Sequence, residues 1–213
     1  MNTVASATPR RLVFGVLVLT LIVMALGGAV LIVKLRPDPG AATTADRAIS
    51  SWEEAVAQDP ESDNAQTGLG IALLEAGRDS EARSAFEAAL ELNDENWMAN
   101  FQLGLMLRET NPTRAIALLD SAARYAGQGD KAVPLIALGD FLLERDDSEG
   151  AKDAYRRSIV DVPYLYDSHL GLAKALEELG ETKAALKEYQ AAGRFSPNDP
   201  EIAAAIERLQ GNG

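Results

Sequence analysis

The residue types that carry enzyme chemistry are scarce in this sequence. It contains one histidine, His169, and no cysteine, so it offers no Ser-His-Asp triad, no thiol nucleophile and no multi-histidine or thiolate metal site. The Gly-Leu-Gly segment at 68–70 lies in a predicted helix and lacks the lysine of a phosphate-binding loop. The acidic pairs at 146–147 and 177–178 lack the spacing of a calcium loop. We therefore predict a protein that is not an enzyme and that uses no cofactor, no metal and no small-molecule substrate.

Small and large apolar residues recur along the chain every 33 to 36 residues. A small residue recurs within a first predicted helix at Gly70, Gly104, Gly139 and Ala173. Another small residue recurs within a second predicted helix at Ala48, Ala82, Ala115, Ala151 and Ala185. Four residues after each of these alanines stands a large side chain, namely Trp52, Phe86, Leu119, Tyr155 and Tyr189. Glycine inside a helix costs about 1 kcal/mol relative to alanine, so we expect the two helices to approach closely at these glycines.

A period of this length indicates stacked helix hairpins, each of which buries its apolar face only against its neighbours. The pattern resembles the 34-residue tetratricopeptide repeat (TPR), W-x2-L-G-x2-Y, then A-x3-F, then P. The matching segments are 63–94, 97–127, 132–163 and 166–197. The second segment lacks one residue between its helices, and the connector at 127–130 then adds two. The resemblance covers about residues 47–210 and implies an all-α fold, a right-handed superhelical solenoid of four full TPR hairpins with capping helices.

Each end of the predicted stack carries a single helix. Residues 45–59, preceded by Thr44 as the N-cap, contain the second-helix residues Ala48, Trp52 and Ala55 without a first helix, so we predict an N-terminal cap. Residues 199–210 carry Ile202 on an apolar face and are predicted to form a C-terminal capping helix. The TPR domain is therefore expected at 45–210.

Residues 12–33 hold no charged side chain and predict a transmembrane helix. A helix of this length extends over roughly 33 Å, enough to cross a hydrocarbon core of about 30 Å. The alternative is a cleaved signal peptide, whose apolar region usually has about 7–15 residues. Small residues near Gly27 fit a cleavage site, but the apolar run continues to Val33. We therefore predict a short N-terminal tail at 1–11, an uncleaved anchor at 12–33 and a linker at 34–44.

Charge bears on both the orientation and the partners of the chain. Basic residues flank the predicted anchor on both sides, and the amino terminus adds one charge, so we expect the N-terminus inside and the TPR domain outside the cytoplasm, with the cytoplasmic face as the alternative. The first 36 residues hold four of the 20 basic residues and none of the 32 acidic ones, so the remainder has a net charge of −16. This balance argues against a nucleic-acid partner.

The TPR resemblance implies a partner-binding groove on the concave side, lined by the first helix of each repeat. Matched to the family position by position, the candidate residues are Ile71, Met98, Phe101, Leu105, Arg108, Val133, Ile136, Asp140, Leu170 and Lys174. Only Arg108 and Lys174 are basic, so the family's clamp for acidic C-termini is not supported. The apolar strip favours an amphipathic helix or an extended segment as the partner, while packing between neighbouring repeats is the alternative for each apolar residue.

These features predict a membrane-tethered TPR scaffold or adaptor that binds a protein or peptide partner in its concave groove. Resemblance to anchored repeat proteins of bacterial envelopes, including those of cytochrome c maturation, implies a role in the assembly or biogenesis of an envelope or membrane complex. The alternative is a structural subunit of a larger membrane complex, which would use the convex face and the anchor.

Overall fold

The computed structural model describes residues 44–211, which form ten α-helices and no β-strand. The helices are α1 (Thr44–Gln58), α2 (Asp63–Glu75), α3 (Asp79–Leu92), α4 (Trp97–Met106), α5 (Pro112–Tyr125), α6 (Ala132–Leu143), α7 (Ser148–Asp161), α8 (Tyr166–Glu178), α9 (Thr182–Gly193) and α10 (Pro200–Gly211). None of these ten helices is both long enough and apolar enough to cross a membrane. The predicted tail, the predicted transmembrane helix at 12–33 and most of the predicted linker lie outside the described residues.

Helices α2 to α9 form four consecutive hairpins, each of which packs against its neighbours in chain order. The single helix α1 packs against α2, and α10 packs against α9. Burial is therefore local along the chain, as in a solenoid of stacked repeats. The prediction of an all-α repeat solenoid is confirmed for the described part of the chain.

A large side chain on each second helix fills the gap beside a small residue on the first. Phe86, Leu119 and Tyr155 are 0% exposed, and Tyr189 is 3% exposed. A Cβ atom added at Gly70 would lie 2.6 Å from Cε1 of Phe86, closer than real Cβ contacts. Only glycine therefore allows the two helices to approach this closely.

Trp52 on α1 occupies the equivalent position but is 40% exposed. Its indole ring lies against Gly68 of α2, where an added Cβ would come within 2.5 Å of Cε2. The exposure has a simple cause, because the described chain supplies no first helix to pair with α1. Within residues 44–211 the stack thus begins with half a hairpin.

The connector between the second and third hairpins is held by a carboxylate from α7. Asp161 accepts hydrogen bonds from the backbone N–H of Gly129, at 3.0 and 3.1 Å, and of Ala132, at 3.2 Å. The first N–H groups of a helix lack intrahelical partners, and Lys131 at the start of α6 makes no side-chain cap. Asp161 therefore caps α6 from a different helix and orders the two extra connector residues.

Three tyrosine hydroxyls in the C-terminal half donate hydrogen bonds to carboxylates. Tyr155 bonds Asp140 at 2.6 Å, and Tyr189 bonds Glu177 at 2.9 Å, each across its own hairpin. Tyr166 bonds Asp199 at 2.6 Å and so ties α8 to the residue before α10. Burial, reinforced by the carboxylate, raises the pKa of Tyr155 and that of Tyr189 above the ordinary range. The hydrogen bond to Asp199 raises the pKa of Tyr166 to about 12.

We expect these tyrosines to make the protein lose stability at alkaline pH. A tyrosine whose pKa is raised by folding contributes stability that is fully present below its unfolded pKa of about 10. For Tyr166 this contribution is lost as the pH rises toward the folded value of about 12. Tyr166→Phe should therefore make the free energy of unfolding less dependent on pH between those two values, measured by urea unfolding with circular dichroism. The same pH dependence in the variant and the wild type would contradict this assignment.

Candidate functional site

The single histidine lies in a packed position. Its Nδ1 atom lies 2.7 Å from Oε2 of Glu188 on α9, and its Nε2 atom lies 3.1 Å from the carbonyl oxygen of Pro163. The His169 side chain is 12% exposed. Within residues 44–211, no cluster of three or more histidine, cysteine, aspartate or glutamate side chains is arranged to hold a metal ion. His169 therefore links α8 to α9 and to the loop before α8.

The structure brings the predicted groove residues onto the first helices of the four hairpins. Nine of the ten lie on α2, α4, α6 and α8, and Arg108 lies in the turn after α4. The predicted set therefore extends along all four hairpins, on the first helix of each.

The apolar groove residues are partly buried. Ile71, Phe101, Leu105, Ile136 and Leu170 pack against the core and keep part of their surface accessible. These side chains therefore support the fold and also contribute an apolar strip to the surface. Each of these five side chains is therefore neither fully exposed nor fully buried between repeats.

Met98 is also partly buried, whereas Val133 is 54% exposed. Val133 stands in the first turn of α6, and its exposed side chain extends the apolar strip toward the start of that helix. These two residues bring the number of apolar members to seven.

The charged groove residues are engaged within the protein. The guanidinium of Arg108 pairs with Glu144 and lies 4.8 Å above the ring of Phe141. The carboxylate of Asp140 accepts the Tyr155 hydrogen bond described above. Because both charged groups have partners within the protein, the surface that the strip presents is mainly apolar.

Lys174 completes this pattern at the C-terminal end. Its Nζ atom lies 2.8 Å from Oε1 of Glu201 on α10, and so joins the last hairpin to the capping helix. Sequence reasoning placed Arg108 and Lys174 in the groove but missed their partners. For Arg108 the available signal was its separation from Glu144 of about one repeat.

The two most exposed large apolar side chains of the described residues lie away from the predicted groove, and a third exposed one, Phe195, lies outside it too. Val160 at the end of α7 is 84% exposed, and Tyr164 in the following loop is 79% exposed. Phe195, just after α9, is 44% exposed and stacks on the His169 ring with 6.1 Å between the ring centroids. Sequence reasoning missed this surface, because no single repeat contains all of its members.

Comparison with known proteins identifies the repeat. The sequence matches the tetratricopeptide repeat at residues 41–91, 80–131 and 136–200. No curated protein matches the sequence.

Solved structures with a similar fold include three repeat proteins. YrrB, described as a TPR protein with an unusual peptide-binding site, matches with a TM-score of 0.68 at 16% identity, over 78% of this chain and 84% of its own. Pseudomonas aeruginosa PilF matches with a TM-score of 0.65 at 19% identity, over 78% of this chain and 75% of its own. MamA from Desulfovibrio magneticus RS-1 matches with a TM-score of 0.60 at 18% identity, over 73% and 88%. At these identities the likeness shows the fold alone.

Proposed function

Since the chain belongs to the tetratricopeptide repeat family, we propose that it is a membrane-tethered scaffold that captures a protein or peptide partner along the first helices of its hairpins. TPR proteins are in general scaffolds for protein–protein interaction, and their fold is typically non-catalytic. The peptide-binding description of YrrB supports a peptide-like partner here.

The observation that carries this proposal is the apolar strip on the first helices. Phe101 and Ile136 are partly buried at its centre, on adjacent hairpins, and the nearby charges of Arg108 and Asp140 are engaged within the protein. Such a surface selects a partner by shape and apolar contact rather than by charge. An amphipathic helix or an extended segment with periodic apolar side chains supplies that contact.

The membrane part of the proposal rests on the sequence. The uncharged run at 12–33 is long enough to anchor the chain, and the 34–44 linker reaches at most about 40 Å when fully extended. A repeat domain held so close to the bilayer, on its extracytoplasmic side, fits a role in presenting client segments to an envelope or membrane complex during its assembly, as in cytochrome c maturation.

The test is crosslinking and affinity capture of the full-length protein from its native membrane. We expect the double variant Phe101→Ser and Ile136→Ser to capture at least about tenfold less partner than the wild type, because two serines remove the apolar contact from the centre of the strip. The matched control replaces Ile116 and Leu118, two partly buried residues on the second helix α5, by serine. Circular dichroism should show the same helicity in the wild type and both variants.

Equal capture by the wild type and the groove variant would defeat the proposal. The binding surface would then lie on the second helices or in the anchor, as in the structural-subunit alternative. In that case, size-exclusion chromatography in detergent should show one stoichiometric complex that survives the groove substitutions.

A further inference from the structure

A second groove lies between α7 and α9, on the side of the stack formed by the second helices. Its volume is about 510 Å³, and α8 forms its floor. The lining residues are Arg156, Ile159, Val160, His169, Leu172, Lys187, Glu188 and Ala191. The exposed side chain of Phe195 stacks on the ring of the lining residue His169, and Val160 is 84% exposed at the edge of the groove. The groove thus combines an apolar floor with an exposed apolar rim.

The charges that line this groove leave it positive. In the described part of the chain, neither Arg156 nor Lys187 forms an ion pair or a hydrogen bond. The one lining carboxylate, Glu188, is already bonded to His169. Two basic side chains therefore face the groove without an internal partner.

The equivalent groove at the other end of the stack has the opposite character. It lies between α1 and α3, where Glu53 and Ser84 occupy the positions of Arg156 and Lys187. Its own base, Arg78, donates to Glu81 at 2.7 Å. The groove between α1 and α3 therefore has its one base already paired, whereas the groove between α7 and α9 has two bases that form no pair.

The position of Arg156 shows the same contrast along the sequence. It is the fifth residue after the recurrent alanine of each second helix, and the preceding three repeats carry Glu53, Glu87 and Asp120 there. Glu87 and Asp120 are bound by Arg114 and Arg157, at 3.0 and 2.8 Å, across neighbouring hairpins. At α7 the acid is replaced by an arginine that pairs with nothing. The ion pairs between hairpins that explain Glu87 and Asp120 therefore do not explain Arg156.

We propose that the groove between α7 and α9 is a second docking site, which takes an extended acidic segment of a partner protein anchored by an apolar or aromatic side chain. Charge complementarity carries this assignment, because two basic side chains that form no ion pair line the same groove, within described residues 44–211 that hold 16 basic and 31 acidic residues. Ile159 and Leu172, which line the groove, supply the apolar contact for the anchor, and the groove volume falls within the usual range for binding pockets of about 300–1,000 Å³.

The chain's own N-terminal segment is a poor occupant of this groove. The first 36 residues carry four basic side chains and no acidic one, so they have the same sign as Arg156 and Lys187. A nucleic acid would meet the excess of acidic residues on the rest of the described surface. An acidic protein segment matches the groove locally, because it is short enough to avoid the surrounding carboxylates.

The experiment selects peptides on the full-length protein in nanodiscs of phosphatidylcholine. The probe is a displayed library of random peptides of about 12 residues, counter-selected on empty nanodiscs, and the selected peptides are then tested on the double variant Arg156→Glu and Lys187→Glu. We expect the retained peptides to place aspartate or glutamate next to leucine, phenylalanine or tyrosine. Their affinity, measured by biolayer interferometry, should fall at least about tenfold in the double variant and should weaken with added salt.

A charge-matched control separates local contacts from overall charge. The variant Arg124→Glu and Lys131→Glu changes the net charge by the same amount, at two positions outside the groove. It should keep the affinity of the selected peptides within about twofold, since a surface pair such as Arg124–Asp120 contributes little to stability. The variant Phe101→Ser and Ile136→Ser should also keep the affinity of the selected peptides. Failure of the second docking site is therefore distinguishable from failure of the scaffold proposal, which depends on the apolar strip.

Three outcomes would overturn the inference. Selected peptides that bind the Glu variant as well as the wild type, or a selection that yields no acidic peptides, would remove the docking site. Binding of the nanodisc protein to phosphatidylglycerol vesicles, dependent on Arg156 and Lys187 and without peptide selection, would assign the surface to an anionic membrane. Concentration-dependent self-association that the same two substitutions abolish would assign it to a second copy of the chain.

Discussion

Replacing Tyr155 by alanine is expected to lower the free energy of unfolding by about 3–5 kcal/mol, the range for deleting a large buried aromatic side chain. Its ring is 0% exposed and lies between Gly139 of its own hairpin and Gly171 of the next. The alanine variant leaves a cavity at the junction of two repeats, because glycines on both sides cannot fill it. Neighbour contacts supply much of the stability of a solenoid, so the loss affects both hairpins.

Urea unfolding of the full-length protein, followed by circular dichroism, measures this cost. The matched control is Trp52→Ala, which truncates the equivalent residue on α1. Trp52 is 40% exposed, and its ring lies against Gly68 of α2. Because less of the ring is buried than in Tyr155, its removal should cost about half as much or less. Equal costs for the two variants would show that burial between hairpins is not what makes Tyr155 important.

The second large effect concerns Gly171, where alanine should destabilise the protein by about 1–3 kcal/mol through overpacking. At an unconstrained helical site the same change would stabilise it by up to about 1 kcal/mol. A Cβ at Gly171 would overlap Cε1 and Cζ of Tyr155, and an added Cβ at Gly139 would lie 2.7 Å from Cζ on the other side. The tyrosine ring therefore has no direction in which to move.

Two further variants test the steric cause by the same unfolding measurement. Gly193→Ala, on α9, places its Cβ 3.4 Å from Cγ2 of Ile202, an ordinary contact, and should stabilise the protein slightly. Adding Tyr155→Leu to Gly171→Ala should recover part of the loss, because leucine already fills the equivalent position at Leu119 beside Gly104. Strictly additive effects of the two substitutions would refute the predicted overlap.

Sequence reasoning predicted the contacts between residues of the same repeat and missed those between consecutive repeats. Gly70 and Gly139 marked the close approach of two helices because glycine has a local cost that packing must offset. Gly68 and Gly171 were not recognised in this role, since each meets a large residue of the preceding repeat. Their function becomes visible only when consecutive hairpins are stacked.

The same limit applies to the candidate surfaces. The candidate groove residues lie on or next to the first helices, as the resemblance implies, but how much of Phe101 or Ile136 stays accessible depends on the angle between neighbouring hairpins. The basic groove depends on bringing Arg156 and Lys187 together from α7 and α9, which are 31 residues apart at these positions. The overall composition did not predict this groove, because a net charge of −12 gives no information about a local cluster of basic side chains.

The change in the gap-filling residue along the stack, from Trp52 on α1 to Tyr155 and Tyr189 on α7 and α9, divides the protein into two spectroscopic halves. Both tryptophans, Trp52 and Trp97, lie in α1 and α4, whereas the three carboxylate-bonded tyrosines lie in α7 to α9. Indole emission therefore reports on the end nearest the N-terminus, and phenol absorbance reports mainly on the far end. A single unlabelled sample can show whether the two ends melt together or in turn.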